Sequence, residues 1–161
     1  MTLTAATKSV DDTRELAGQV AALAKPGDVV LLAGELGSGK TAFAQGFGRA
    51  LGVDEPIVSP TFTLVRTYPG RLSLVHVDVY RLDHLQEVVD LGLPELLDEG
   101  GVALIEWGDM AAPALPADFL EVRFDYGAAD DDRRLGFRIV GPSWAPRHTA
   151  LRTALARWCV E

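Results

Sequence analysis

A chain of 161 residues, 48% hydrophobic and 24% charged, is long enough for one domain with its own core, and its composition excludes a disordered or fibrous polymer. A formal net charge of −8 excludes a surface that is basic throughout, so an extensive nucleic-acid platform, DNA included, is not expected. The single cysteine, Cys159, excludes an intrachain disulfide, no window approaches a membrane span, and the first ten residues lack a basic region followed by an apolar core, so a reducing cytoplasm is the expected location.

Ser9 and Asp11 both read as N-caps for an amphipathic helix carrying Leu16, Val20 and Leu23, which the breaker cluster Lys25-Pro26-Gly27 ends. Asp28-Val29-Val30-Leu31-Leu32-Ala33 follows as the first buried strand. It runs directly into Gly34-Glu35-Leu36-Gly37-Ser38-Gly39-Lys40-Thr41, which reads G-x-x-x-x-G-K-S/T, the pattern of a P-loop. A helix with Phe43, Phe47, Ala50 and Leu51 on one face comes next and is expected to stop at Gly52. The residue types suit phosphate chemistry for separate reasons. Gly34, Gly37 and Gly39 let the backbone turn tightly and aim N–H groups at phosphate oxygens. The helix adds its own free N–H groups and positive dipole end. Lys40 can reach the β- and γ-phosphates, and the Thr41 hydroxyl can ligate Mg²⁺. Gly46 and Gly48 lie inside the helix, each costing about 1 kcal/mol against Ala, and close packing on a sheet is the expected compensation.

Pro56 to Thr61 is irregular, broken by two prolines. Phe62 to Tyr68 and Leu72 to Tyr80 read as a hairpin across the turn Pro69-Gly70. Helical signals return in Leu85 to Leu91 and in Pro94 to Leu97. Gly100-Gly101 leads into Val102-Ala103-Leu104-Ile105, a short apolar run suited to a buried parallel strand, and Pro113 and Pro116 mark a loop. Leu120, Val122, Phe124 and Tyr126 alternate, as do Leu135, Phe137 and Ile139, so a second hairpin is expected around Gly127 to Asp132. Pro142 and Pro146 precede a final helix, about His148 to Cys159. The expected architecture is a single α/β P-loop NTPase domain over 1–161, with a mixed, mostly parallel sheet flanked by helices, two β-hairpins, and a C-terminal helical tail over 142–161. From Phe137 to Val160 the only formal charges are Arg138, Arg147, Arg152 and Arg157, which suits either a solvated helix face or a docking surface for an acidic partner or RNA.

Magnesium chemistry calls for an acidic residue at the end of a strand next to the loop. Asp78 and Glu106 both qualify, and Glu106 is the better metal ligand because its run is wholly apolar. Asp78 lies on the side of His76 and Tyr80, where it could hold a metal-bound water or orient the attacking one. Thr61, in Ser59-Pro60-Thr61, is placed either as a switch that senses a γ-phosphate or as a hydroxyl capping a turn. Trp107 suits the core or a cover over the metal, and His76 suits a hydrogen-bonded structural role better than metal ligation. The chain contains no asparagine, so the Asn-Lys-x-Asp signature that reads guanine is absent and adenine, or loose base selection, is favoured.

Gly34 to Thr41, then Ser59-Pro60-Thr61-Phe62, then His76-Val77-Asp78-Val79-Tyr80-Arg81, then Glu106-Trp107 resemble, in order and spacing, the signature series of the TsaE (YjeE) family over about residues 9 to 140. The resemblance implies a small bacterial ATPase needed for threonylcarbamoyl modification of adenosine 37 in tRNAs that read ANN codons. It implies work with TsaD, which carries the transferase site, and TsaB, with ATP hydrolysis resetting their assembly. Carried over by motif, Leu36, Gly37, Ser38, Gly39, Lys40 and Thr41 bind the phosphates of ATP, Thr41 and Glu106 hold Mg²⁺, Thr61 is the switch and Asp78 acts in hydrolysis. The family also brings the start of the first helix, here near Val10, and an arginine on the late hairpin. Arg133 fits that arginine best, although Arg134 is adjacent and Asp130-Asp131-Asp132 leaves the register open. Contact with tRNA is expected to be indirect or weak. Two other classes remain open from the residues alone: a P-loop small-molecule kinase with the Arg133-Arg134 hairpin as its lid, and a nucleotide-gated binding module.

Overall fold

The apolar run Val29–Ala33 is buried at every position, as a strand covered on both faces must be. In the computed structural model, which describes residues 2–35, 37–58, 65–79, 93–107 and 118–160, this strand is the middle of a seven-stranded sheet. In chain order the elements are β1 (Thr2–Thr7), α1 (Val10–Ala21), β2 (Val29–Ala33), α2 (Lys40–Ala50), β3 (Val65–Tyr68), β4 (Leu74–Val79), α3 (Leu93–Asp98), β5 (Val102–Trp107), β6 (Phe119–Tyr126), β7 (Arg133–Val140) and α4 (His148–Ala154). The strand order is β1-β7-β6-β2-β5-β4-β3. The sheet is mixed: β6, β2, β5 and β4 run parallel at its centre, while the β3–β4 and β6–β7 hairpins and the β1–β7 pair are antiparallel. Parallel and antiparallel pairings are thus equal in number among the described residues, and the parallel part is the centre rather than the majority. The helical signal over Leu85 to Leu91 lies outside the described residues.

Three elements differ from expectation. β1 carries no clear signal, because its residues are mostly Thr and Ala, yet it pairs with β7 from Thr2↔Arg138 to Thr7↔Arg133. The helix expected over His148 to Cys159 instead stops at Ala154 and continues as a 3₁₀ turn, Ala156–Trp158. The tighter turn brings the Trp158 indole N–H to Asp12 Oδ1 at 2.7 Å, and the chain then bridges Ala5 through Cys159. Of the two N-cap candidates, Ser9 is the cap, its hydroxyl accepting from the Asp12 N–H, whereas Asp11 pairs with Arg14.

The third difference concerns the glycines of α2. A Cβ on Gly46 would lie 2.1 Å from the Arg14 carbonyl oxygen, so this glycine admits the backbone of α1 rather than the sheet. Gly48 does face the sheet side, against Ile57 and Leu74. Gly46→Ala forces two helices apart across their closest approach, and overpacking of this kind costs roughly 1–3 kcal/mol or more. The expected result is a lower urea midpoint with an unchanged slope; an unshifted midpoint would show that the helices part freely.

The C-terminal arginines are mostly engaged within the chain. Arg138 pairs with Glu121 at 2.7 Å, and Arg157 pairs with Glu15 while lying 4.0 Å over the Trp158 ring. Arg147 is buried and grips Asp28 with two hydrogen bonds of 2.6 and 2.8 Å. Arg152 remains exposed. These pairings disfavour the docking-surface view and make the tail a clamp on α1 and on the entry to β2.

Candidate nucleotide-binding site

The turn from β2 into α2 requires glycine in three places. Gly34, Gly37 and Gly39 adopt φ of 152°, 80° and 113°, a region that side chains disfavour. Space is also limiting at Gly34, where a Cβ would meet the Phe124 carbonyl oxygen at 2.9 Å. Gly39 is the N-cap of α2 and supplies no capping side chain, so the first N–H groups of the helix stay open to an anion. Beneath the loop, Phe43 of α2 meets Phe124 of β6 edge-on with centroids 5.8 Å apart, which holds helix, loop and sheet together.

Two cations converge on the loop. The Lys40 ammonium donates to the Gly34 carbonyl at 2.7 Å. The Arg133 guanidinium donates to Ser38 O at 3.0 Å and Gly37 O at 3.4 Å, and to its own turn at Asp130 O and Asp132 O. It also lies 4.8 Å over the Tyr126 ring. Of the two adjacent arginines, Arg133 reaches the loop, and Arg134, next along the strand, is exposed on the other side. Thr7 pairs with Arg133, so the end of β1 lies beside the hairpin arginine, and the exposed Val10 begins α1 just beyond it in the chain. Ser38 is buried, and its hydroxyl has no hydrogen-bond partner among the described residues. Leu36 and Thr61 lie outside the described residues, as do Ser59 and Pro60.

The strand-end carboxylates come together. β4 and β5 are parallel in a register that pairs Asp78 with Glu106. Paired residues share a face, and this is the face of Leu74, Val102 and Leu104, which form one core with Phe43 and Phe47 of α2. Glu106 is buried, and its Oε2 takes a 2.9 Å hydrogen bond from His76 Nε2. His76 is thus a hydrogen-bonded histidine, as its sequence position leads one to expect. Asp78 is half-buried, as are Lys40 and Thr41 at the start of α2. Of Trp107 only the backbone is described.

Among the described residues no cluster of three or more His, Cys, Asp or Glu is built to hold a metal. A Mg²⁺ ion asks for less, since it keeps waters and binds through one or two carboxylates plus phosphate oxygens. Thr41 and Glu106 carry hard oxygen donors of that kind, and Oε2 of Glu106 already accepts a hydrogen bond from His76. Two surface clefts of about 490 and 400 Å³ are lined by Glu15, Gln19 and Trp158 in one case and by Arg14, Arg49 and Ile57 in the other. Neither includes a residue of the loop. Sequence reasoning missed the Tyr126–Arg133 stack and the His76–Glu106 bond; alternation placed His76 beside Asp78, but only the parallel register brings Glu106 to it.

Comparison with known proteins agrees in one direction. A family profile described as "Threonylcarbamoyl adenosine biosynthesis protein TsaE" matches residues 7–135. The tRNA threonylcarbamoyladenosine biosynthesis protein TsaE of Bacillus subtilis (strain 168) is 43% identical over 136 residues, covering 84% of each chain. Its counterpart in Treponema pallidum (strain Nichols) is 46% identical over 109 residues, 68% of this chain and 81% of that one. The Streptomyces coelicolor protein of the same name is 40% identical over 139 residues, 82% of this chain and 93% of that one. Among solved structures, Bacillus subtilis YdiB superposes with a TM-score of 0.77 at 37% identity, over 98% of this chain and 95% of the other.

Proposed function

The chain belongs to the TsaE family, and on that premise we propose that it binds and hydrolyses ATP with Mg²⁺ as an accessory to threonylcarbamoylation of adenosine 37 in ANN-reading tRNAs, acting on the TsaB–TsaD complex. The observation that carries the ATP site is the pair of cations, Lys40 and Arg133, held on the carbonyls of a glycine loop that opens a helix. A triphosphate seated on the loop N–H groups offers both cations charged acceptors in place of neutral carbonyls, and charge-assisted hydrogen bonds are roughly twice as strong.

The residues divide the work by position. Gly37, Ser38, Gly39 and Lys40, with Leu36, cradle the β- and γ-phosphates, and Val10 and Arg133 border the nucleotide at the α1 and hairpin margins. Thr41 and Glu106 would hold Mg²⁺, which when bound would neutralise charge developing on the phosphate oxygens. Asp78, beside Glu106, accepts a hydrogen bond from the attacking water and aims it in line with the bond to ADP. The water adds to the γ-phosphorus, the bond to the β–γ bridging oxygen breaks, and ADP and phosphate leave. Thr61 senses the γ-phosphate in this scheme. Adenine is favoured over guanine by the missing asparagine signature.

No helix among the described residues is long and apolar enough to cross a membrane. A cytoplasmic site of action is part of the proposal, as is an indirect or weak contact with tRNA, which the acidic net charge and the internally paired arginines support. The test is ATP turnover with and without reconstituted TsaB–TsaD. Slow hydrolysis alone and clear stimulation by the complex are expected. Absence of stimulation would refute the accessory role, and unaided phosphorylation of a metabolite or nucleoside at ordinary turnover would favour a kinase.

A further inference from the structure

We propose that His76 is a positioning residue for Glu106: it fixes the carboxylate through Oε2 so that Oε1 is presented to the metal of the nucleotide site. The inference rests on the proposed Mg²⁺ role of Glu106 and adds a residue to it. His76 is fully buried and Glu106 nearly so, at 0% and 3% exposure. The contact is a single hydrogen bond of 2.9 Å between Nε2 and Oε2. A carboxylate only accepts, so the hydrogen of this bond sits on Nε2. The other ring nitrogen, Nδ1, is buried with no partner among the described residues.

Those facts separate two roles. A histidine that merely fills the core tends to satisfy both ring nitrogens, because a buried polar atom left unpaired costs stability. Among the described residues this ring leaves Nδ1 unpaired and directs its bond to the strand-end carboxylate. Glutamate carries a long side chain whose ordering costs rotamer entropy. Here that cost falls in folding rather than at metal binding, because Glu106 is held in place by a ring on the neighbouring strand. The register makes this specific: His76 pairs with Leu104 and Asp78 with Glu106, so the imidazole reaches one step along the same face. Carboxylates that ligate metals are commonly held in this way, and removal of such a partner typically costs 10- to 100-fold in metal affinity or activity.

The test reads metal-dependent nucleotide affinity, not turnover. A non-hydrolysable ATP analogue is titrated calorimetrically into the full chain, once with Mg²⁺ and once with EDTA. In the wild type Mg²⁺ is expected to tighten binding. His76→Asn places its amide where Nδ1 stood, out of reach of Oε2, and is expected to weaken the Mg²⁺-dependent affinity about 10- to 100-fold with the EDTA affinity unchanged. His76→Gln places an amide N–H near the old Nε2 and is expected to retain Mg²⁺ dependence. In a Glu106→Gln background, His76→Asn is expected to cost nothing further, since residues acting through one group are not additive. The proposal falls if His76→Asn weakens both affinities alike, if it leaves both unchanged, if His76→Gln behaves like His76→Asn, or if the losses at His76 and Glu106 add. A wild type that ignores Mg²⁺ would overturn the metal role of Glu106 itself, and this inference with it. Wild-type Mg²⁺ dependence that survives in His76→Asn would overturn the inference alone.

Discussion

Lys40→Ala is expected to weaken ATP binding by about 10- to 100-fold while leaving the fold intact. A hydrogen bond to a charged group contributes roughly 1.5–3 kcal/mol, and each 1.4 kcal/mol is tenfold in affinity. The ammonium is already directed into the loop, 2.7 Å from the Gly34 carbonyl, so little ordering remains when a triphosphate arrives. The fold should tolerate the change because Lys40 is half-buried and begins α2, where alanine is a good helix former. Isothermal titration with ATP and Mg²⁺ reads the affinity, and thermal unfolding without nucleotide reads the fold. Wild-type affinity in the variant would remove Lys40 from the site and the P-loop assignment with it. A matching loss of thermal stability would instead mark the lysine as structural.

Arg147→Ala is expected to lower the unfolding free energy by about 3–5 kcal/mol, the usual cost of stripping one partner from a buried ion pair. Arg147 and Asp28 are both buried, and the guanidinium also donates to Leu23 O and Ser143 O at 2.8 and 3.0 Å while stacking 3.9 Å from the Trp144 ring. Without it, Asp28 retains the Lys25 N–H at 2.7 Å but loses its countercharge. Asp28 immediately precedes β2, so the penalty falls on the entry to the strand that carries the loop at its other end. The double variant Asp28→Leu/Arg147→Met should cost less than Arg147→Ala, because neither charge is then left buried alone. Urea unfolding of the three proteins checks both statements. A loss under about 0.5 kcal/mol for Arg147→Ala, the range of ordinary surface substitutions, would mean that the tail is not anchored here. ATP affinity of the folded variant should stay near wild type, since the partners of this pair are Leu23, Lys25, Ser143 and Trp144, none of them in the loop.

The nucleotide loop was legible because everything that defines it is contiguous. A buried run, three glycines, Lys40 and a helix follow one another within about 25 residues, and backbone sterics with hydrophobic periodicity act at that range. The same is true of the two hairpins, whose strands are neighbours in sequence, and of Asp78 and Glu106 as strand-end acids. Gly46 and Gly48 were legible as close-packing sites, but not by partner. Only the structure assigns Gly46 to the backbone of α1 and Gly48 to Ile57 and Leu74.

By itself, then, the sequence determined the strand–loop–helix unit, the mixed sheet and the identity of the acids and cations available to a nucleotide. Tertiary structure decided which of them meet. Arg133 lies 95 residues from Ser38 in the chain, and it reaches that carbonyl because β6 docks beside β2 and the hairpin turns β7 back over the loop. His76 finds Glu106 because β4 and β5 are parallel in one particular register; a shift of one residue would turn the carboxylate to the opposite face. Arg147 and Arg138 look alike in sequence, yet one is buried on Asp28 and the other pairs with Glu121 at the surface. The physical reason is the same in each case. Local pattern is set by backbone sterics and the alternation of apolar residues, whereas a charge takes its role from the element packed opposite, and that is set by the spatial arrangement of strands, helices and tail.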